Sequence, residues 1–253
     1  MIKQTYKKRS LLHNPHYKLE LSRDIVDRWE EASREDELGS MLPDIEKRRA
    51  FETPILESGG ERFRVKYYRT RTLKRKLDAL IFSPESVRSM KTAIRIEKRG
   101  VPTPRPLCVW GQWKWGLHEW SVLFTEDLGP IPTLPDFMLG IDPGDSEARK
   151  NTSVALARSL ARLHDARVYV HDPAKNILVD GAGNDLRFYF IDFDTVVPYR
   201  LLTKKRVARV LRHCIRPPGR LGMYDDRERA SYVREYLKAR GRDGWFEDVF
   251  SLV

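Results

Sequence analysis

The chemically informative side chains are His171 and Asp172, then Asn176, then Asp192. A carboxylate or an imidazole can take a proton from a hydroxyl near neutral pH. A carboxamide oxygen and a carboxylate are hard oxygen donors of the kind that hold Mg²⁺. Asn176 opens the apolar run Ile177-Leu178-Val179, and Asp192 closes the run Phe188-Tyr189-Phe190-Ile191, with Gly181-Ala182-Gly183-Asn184 between them. Two such runs around a glycine-containing turn predict a β-hairpin, which brings Asn176 and Asp192 to one end of a strand pair. Metal-bridged transfer of an anionic group to a hydroxyl is chemistry that this pattern could serve.

The elements that must carry these residues are legible to different degrees. Residues 1–50 are hard to read, apart from a helix over Leu21–Glu37 with Ile25, Val26 and Trp29 at helical spacing, ended by Gly39-Ser40. Pro54–Glu57 and Arg62–Tyr68 around Gly59-Gly60 predict a hairpin. The basic stretch Arg69–Lys76 continues into Leu77, Leu80 and Ile81 without a clear assignment. A helix is expected over Pro84–Lys98, with Ser83 as its cap and Gly100 as its end. Three prolines keep Val101–Pro106 extended. Two short strands, Leu107–Trp110 and Trp120–Thr125, would be joined by the Trp-rich turn Gly111–Gly116. Beyond Asp127-Leu128-Gly129-Pro130 an amphipathic helix covers Asn151–Asp165, and a last helix runs from near Asp225-Asp226 to about Ala239. Strands with one helix, a connector, then mostly helices make an α+β chain in two lobes: a small β-rich N-terminal lobe over 1–124, a hinge over 125–129 and a mostly helical C-terminal lobe over 130–253.

Composition narrows the class of partner. The 253 residues carry 47 Lys and Arg against 36 Asp and Glu, a net charge of +11, which calls for an anionic partner or surface. A hydrophobic share of 41% and an aromatic share of 10% exclude a disordered chain. Two distant cysteines, Cys108 and Cys214, match no zinc spacing and no disulfide framework, so a reducing compartment is expected. No apolar run has the length of a membrane span, and the basic N-terminus lacks the apolar core of a secretory leader.

The stretch Val168–Val179 followed by Phe190-Ile191-Asp192-Phe193-Asp194 resembles the catalytic and metal-binding loops of the protein-kinase-like fold. More of the chain resembles one branch of that fold, the bacterial lipopolysaccharide kinase family of heptose and Kdo kinases. The matching segments, in shared order, are Val65–Arg69, Lys98–Leu107, Leu123–Leu128, Leu160–His164, Ile191–Asp194 and Asp226-Arg227. The resemblance implies an ATP-dependent kinase that phosphorylates a sugar hydroxyl on an inner-core glycolipid at the cytoplasmic face of the inner membrane. It implies Lys66 as the strand lysine on the ATP phosphates, Asp172 as the base with His171 as its substitute, and Asn176 and Asp192 as Mg²⁺ ligands. The backbone around Glu126 and Leu128 would meet adenine, so the acids there need no functional role.

Three features depart from that family's pattern. Asp172 and Asn176 have three residues between them rather than four, which places His171 at the usual spacing. The helix after Lys66 has Ser89 and Met90 where a pairing glutamate would fall, with Glu85 and Glu97 to either side. No glycine-rich phosphate loop precedes Lys66, since Gly39 and Gly59-Gly60 lack its spacing. A small-molecule kinase of the same fold, or a catalytically degenerate relative that binds anionic lipid or nucleic acid, are the alternatives.

Weighed alone, several features have plainer readings. The tryptophans 110, 113, 115 and 120 read better as cross-strand packing than as a nucleic-acid stacking platform. His164 reads as a buried helix-end histidine. The basic clusters Arg69–Lys76 and Lys204–Arg212 read equally as ordinary solvated faces or as contacts to an acidic glycolipid surface.

Overall fold

The computed structural model describes residues 1–34, 54–70, 72–115, 117–142, 144–170, 173–194, 196–198, 202–215 and 225–253. The chain divides into two units, Met1–Ile94 with Pro104–Leu128, and Arg95–Thr103 with Gly129–Val253.

The first unit is built on an antiparallel sheet of β1 (Ile2–Tyr6), β2 (Arg9–His13), β3 (Ile55–Ser58), β4 (Glu61–Arg69), β5 (Pro106–Lys114) and β6 (Leu117–Glu126), ordered β1-β2-β5-β6-β4-β3. Helix α1 (Leu19–Arg34) closes one face, with Ile25, Val26 and Trp29 packed among Leu11, Phe63, Val65, Trp110 and Phe124. A short helix α2 (Leu73–Phe82) leads into α3 (Glu85–Glu97), which closes the other face through Val87 and Met90 against Tyr68, Val109 and Leu123. The hydrophobic effect thus buries the sheet on both sides, which explains the paired apolar runs of its central strands.

Several expectations change here. The first fourteen residues contain a hairpin that periodicity does not reveal. Its turn is Lys7-Lys8 with φ of 48° and 60°, so the left-handed turn is made by lysines instead of the usual Asn-Gly. Its strands are held to α1 by polar contacts, Tyr6 Oη to Asp27 at 2.9 Å and Arg9 to Glu30 at 3.0 Å. β5 and β6 are longer than the short strands expected, because Gly111 lies within β5 and not in a turn. A Cβ there would sit 2.5 Å from the Trp120 carbonyl oxygen, so glycine permits close strand approach. Ser83 has φ of 67°, not the extended backbone of an N-cap. Helix α2 itself had no assignment. Gly100 does end α3, with φ of 70° and the Val101 amide donating to Ile96 O at 3.1 Å. Glu37, Gly39 and Ser40 lie outside the described residues.

The second unit contains α4 (Leu134–Gly140), α5 (Ser146–Asp165), the paired strands β8 (Ile177–Asp180) and β9 (Arg187–Phe190), the short pair β7 (Val168–Tyr169) and β10 (Val197–Pro198), and helices α6 (Lys204–Ile215), α7 (Asp226–Ala239) and α8 (Phe246–Phe250). Helices α5 and α7 lie side by side and are linked by Arg149–Glu228 at 3.1 Å, Arg158–Glu235 at 2.7 Å and Asp165–Arg240 at 3.0 Å. A capping box starts α7: Asp225 accepts from the Glu228 amide and Glu228 accepts from the Asp225 amide. Cys108 and Cys214 are both buried free thiols. No described helix is long and apolar enough to cross a membrane.

Candidate active site

Asn176 ends a 3-10 turn over Ala174–Asn176, its amide bonded to the Pro173 carbonyl at 2.9 Å. β8 then pairs with β9 in antiparallel register, Ile177 opposite Phe190. One step beyond that register, the Ile191 amide donates to Asn176 O at 2.9 Å. The structure therefore brings Asn176 and Asp192 to the same end of one hairpin. Asp192 has φ of 62°, a left-handed backbone that is uncommon outside glycine and that asparagine and aspartate adopt more readily than other residues. Its neighbours Ile191 and Phe193 are both buried. The turn therefore lets a half-buried carboxylate interrupt an apolar sequence, a local strain of the type that concentrates at functional sites.

The hairpin is braced along both edges. On the β9 side, the Phe190 amide donates to Pro102 O at 3.1 Å and Thr103 Oγ1 donates to Phe190 O at 2.9 Å. On the β8 side, the Val179 amide donates to Pro132 O at 3.0 Å, and Thr133 forms a bridge with Leu178. The proline-rich segment thus does more than stay extended: it supplies one backbone acceptor and one buried hydroxyl to the strand that leads to Asp192. Sequence reasoning missed Thr103 in this role, because its partner is far along the chain. We expect Thr103→Val to lower unfolding stability by about 1–2 kcal/mol, since a buried carbonyl loses its donor. If the Asp192 end of the hairpin holds Mg²⁺ and nucleotide, the substitution should also weaken that binding. Calorimetric titration with and without Mg²⁺ would check this, and equal affinities in variant and wild type would refute the positioning role.

Lys66 lies in the first unit, at the middle of β4 opposite Leu123 on β6. It is half-buried, with its Nζ 5.5 Å from the centre of the Tyr68 ring. Ser89 and Met90 of α3 are buried, Glu85 stands in the first turn of that helix and Glu97 ends it. Glu126 ends β6, its amide bonded to Arg105 O at 2.8 Å while its carboxylate accepts from the Arg105 amide at 3.2 Å. Asp127 contributes more than expected. Its side chain is 1% exposed and ion-paired to Arg64 at 2.8 Å and Arg62 at 3.2 Å, which ties the end of β6 to β4. Leu128 is the last residue of the first unit, and Gly129 follows with φ of 77°. His171 and Asp172 lie outside the described residues.

His164 takes the plain reading. It is 1% exposed, with Nδ1 2.6 Å from Tyr236 Oη. Burial, and then the Arg240 charge, lower its pKa to about 3. His118, between Thr70 at 2.7 Å and Ser121 at 2.9 Å, is lowered to about 4 by burial and then by Lys76. Both rings are therefore neutral in the fold, whereas in the unfolded chain they take up protons near pH 6.5. The unfolded state then binds more protons at acid pH. Full stability is present above about pH 6.5 and declines towards pH 4 and 3, by up to about 1.4 kcal/mol per unit for each ring. Denaturant unfolding at pH about 7 and about 5 should show the drop, and His164→Gln should shrink it.

Trp110 and Trp120 meet edge to face at 5.2 Å, and the Arg9 guanidinium lies 4.6 and 4.8 Å from their rings. In α6, Val207, Val210, Leu211 and Ile215 are buried while Lys205, Arg206, Arg209 and Arg212 form an exposed cationic face.

Comparisons with known proteins agree with this architecture. The family model described as "Lipopolysaccharide kinase (Kdo/WaaP) family" matches residues 34–212. A solved structure titled "WaaP in complex with acyl carrier protein" matches with a TM-score of 0.57 at 18% identity, over 83% of this chain and 92% of that one. The likeness assigns the α+β, protein-kinase-like fold. Among curated protein sequences, none matches.

Proposed function

Since the chain belongs to the lipopolysaccharide kinase (Kdo/WaaP) family, we propose that it moves the γ-phosphoryl group of ATP to a sugar hydroxyl of a lipid A–core glycolipid. The observation that carries this reading is the hairpin that sets Asn176 beside a left-handed Asp192, two oxygen donors at one strand end. That donor set fits Mg²⁺, which takes one or two protein oxygens together with substrate phosphates. When bound, Mg²⁺ neutralises charge on the phosphate oxygens.

The chain's own residues have separate tasks. Asn176 and Asp192 would hold the metal. Lys66 would meet the nucleotide phosphates as a compact ammonium. Backbone groups at Glu126 and Leu128 would seat adenine. Asp172, or His171 in its place, would orient the acceptor hydroxyl and take its proton. The net charge of +11 and the exposed cationic face of α6 favour contact with an anionic membrane surface on the cytoplasmic side. The carrier protein held by the matched WaaP structure makes an acyl carrier protein a further candidate partner.

An acceptor panel tests the assignment. Purified protein with Mg²⁺ and labelled ATP should label lipid A–core fragments. Transfer to a soluble amine or alcohol, with none to any lipid A–core fragment, would sink the glycolipid reading. The shortened spacing between Asp172 and Asn176 favours a second reading, a relative that binds nucleotide or anionic lipid without turnover. Nucleotide binding without transfer to any acceptor would support it.

A further inference from the structure

Helix α2 is amphipathic, yet its apolar stripe faces outward. Leu77, Leu80 and Ile81, at i, i+3 and i+4, are 49%, 54% and 74% exposed, and Phe82 at the helix end is 62% exposed. They are four of the ten large apolar side chains exposed among the described residues. Among its described side chains, Lys76 and Ala79 are half-buried, with Lys76 Nζ 3.7 Å from Glu119 of β6. A soluble surface rarely gathers so much apolar area without a partner.

A cavity of about 300 Å³ opens beside the same helix, lined by Tyr68, Arg69, Thr70, Phe82, Glu85 and Arg88. Arg69 is exposed at its rim, and the Arg88 Nε is buried with no hydrogen-bond partner among the described residues. His118, which also lines it, is neutral and already bonded to Thr70 and Ser121. The two arginines against the one Glu85 leave the cavity net cationic, with Phe82 shared between it and the apolar stripe.

We propose that α2 and this cavity form the surface by which the protein seats on an anionic lipid leaflet. The apolar stripe enters the acyl boundary, and a lipid phosphate meets Arg69 and Arg88. Outward apolar residues bordered by cations are the signature of an interfacial helix, and charge complementarity selects anionic lipid over a second copy of this cationic chain. The inference rests on the glycolipid reading of the acceptor and names the element that would bring the enzyme to it.

The test uses the full chain without ATP. Wild type should co-sediment with vesicles of phosphatidylglycerol and phosphatidylcholine, and much less with phosphatidylcholine alone. The Leu80→Ser/Ile81→Ser variant should bind roughly tenfold or more weakly, because two apolar side chains lose their burial. Phe82→Ser should act in the same direction, with circular dichroism confirming that each variant is folded. Arg88→Gln should erase most of the preference for anionic vesicles, and added inorganic phosphate should leave wild-type binding in place. Equal binding by wild type and the double variant overturns the proposal. So does a wild-type dimer in light scattering that the double variant converts to monomer. Phosphate transfer to a water-soluble core oligosaccharide, measured separately, should be unchanged in the α2 variants. Transfer without vesicle binding removes the docking surface alone, whereas vesicle binding without transfer removes the kinase reading alone.

Discussion

Replacing Asp192 by asparagine is expected to lower phosphoryl transfer on the order of 10³-fold, equivalent to about 4 kcal/mol of transition-state stabilisation. The reason is charge. Asparagine keeps the size and one oxygen of the side chain but removes the carboxylate that would hold Mg²⁺ against the phosphates. Asparagine is also the better choice than alanine for this position. The residue sits at φ of 62°, which asparagine tolerates, so the backbone of the turn survives the substitution. The melting temperature should therefore stay close to wild type while kcat falls. Excess Mg²⁺ should recover little of the rate. A D192N variant that turns over within a fewfold of wild type would remove Asp192 from the metal site, and with it the hairpin-based reading.

Asp172→Asn is expected to have a comparably large effect, a loss of about 10²–10⁴-fold in kcat, the range for removing a general base. His171→Gln is its control. The sequence spacing leaves both residues as bases, and they differ in a measurable way. A carboxylate base keeps kcat/KM level down to about pH 4, whereas an imidazole base makes it fall below about pH 6.5. If Asp172 is the base, D172N carries the large loss and wild type shows no acid limb near neutrality. A large loss in H171Q with a limb near pH 6.5 would transfer the role to His171. Nucleotide affinity should change little in either variant, because neither would contact the phosphates directly.

Legibility in the sequence followed the range of the interactions. The β8–β9 hairpin could be read because its signals are local: apolar runs, a glycine turn, and Asn176 and Asp192 at matched ends. The hairpin over β3 and β4 was legible for the same reason, with Gly59 and Gly60 at φ of 60° and 78°. The β1–β2 hairpin was not, because lysines make its turn and ion pairs to α1 replace most of the apolar alternation. The structural role of Asp127 was not legible either, because it depends on the fold bringing Arg62 and Arg64 onto its buried carboxylate.

By itself, the sequence determined the order of the chemical groups and the α+β character, since both depend on residue type and short spacing. Only the tertiary structure decided how the Asp192 end of the hairpin is held. Its braces come from Thr103, 87 residues before Phe190, and from the segment Pro132-Thr133. It also decided what apolar periodicity means. In α1, Ile25, Val26 and Trp29 at helical spacing are buried against the sheet, while in α2, Leu77, Leu80 and Ile81 at the same spacing face solvent. Spacing sets which side chains share a helix face, but whether that face is core or surface depends on what packs against it, which is a property of the assembled chain.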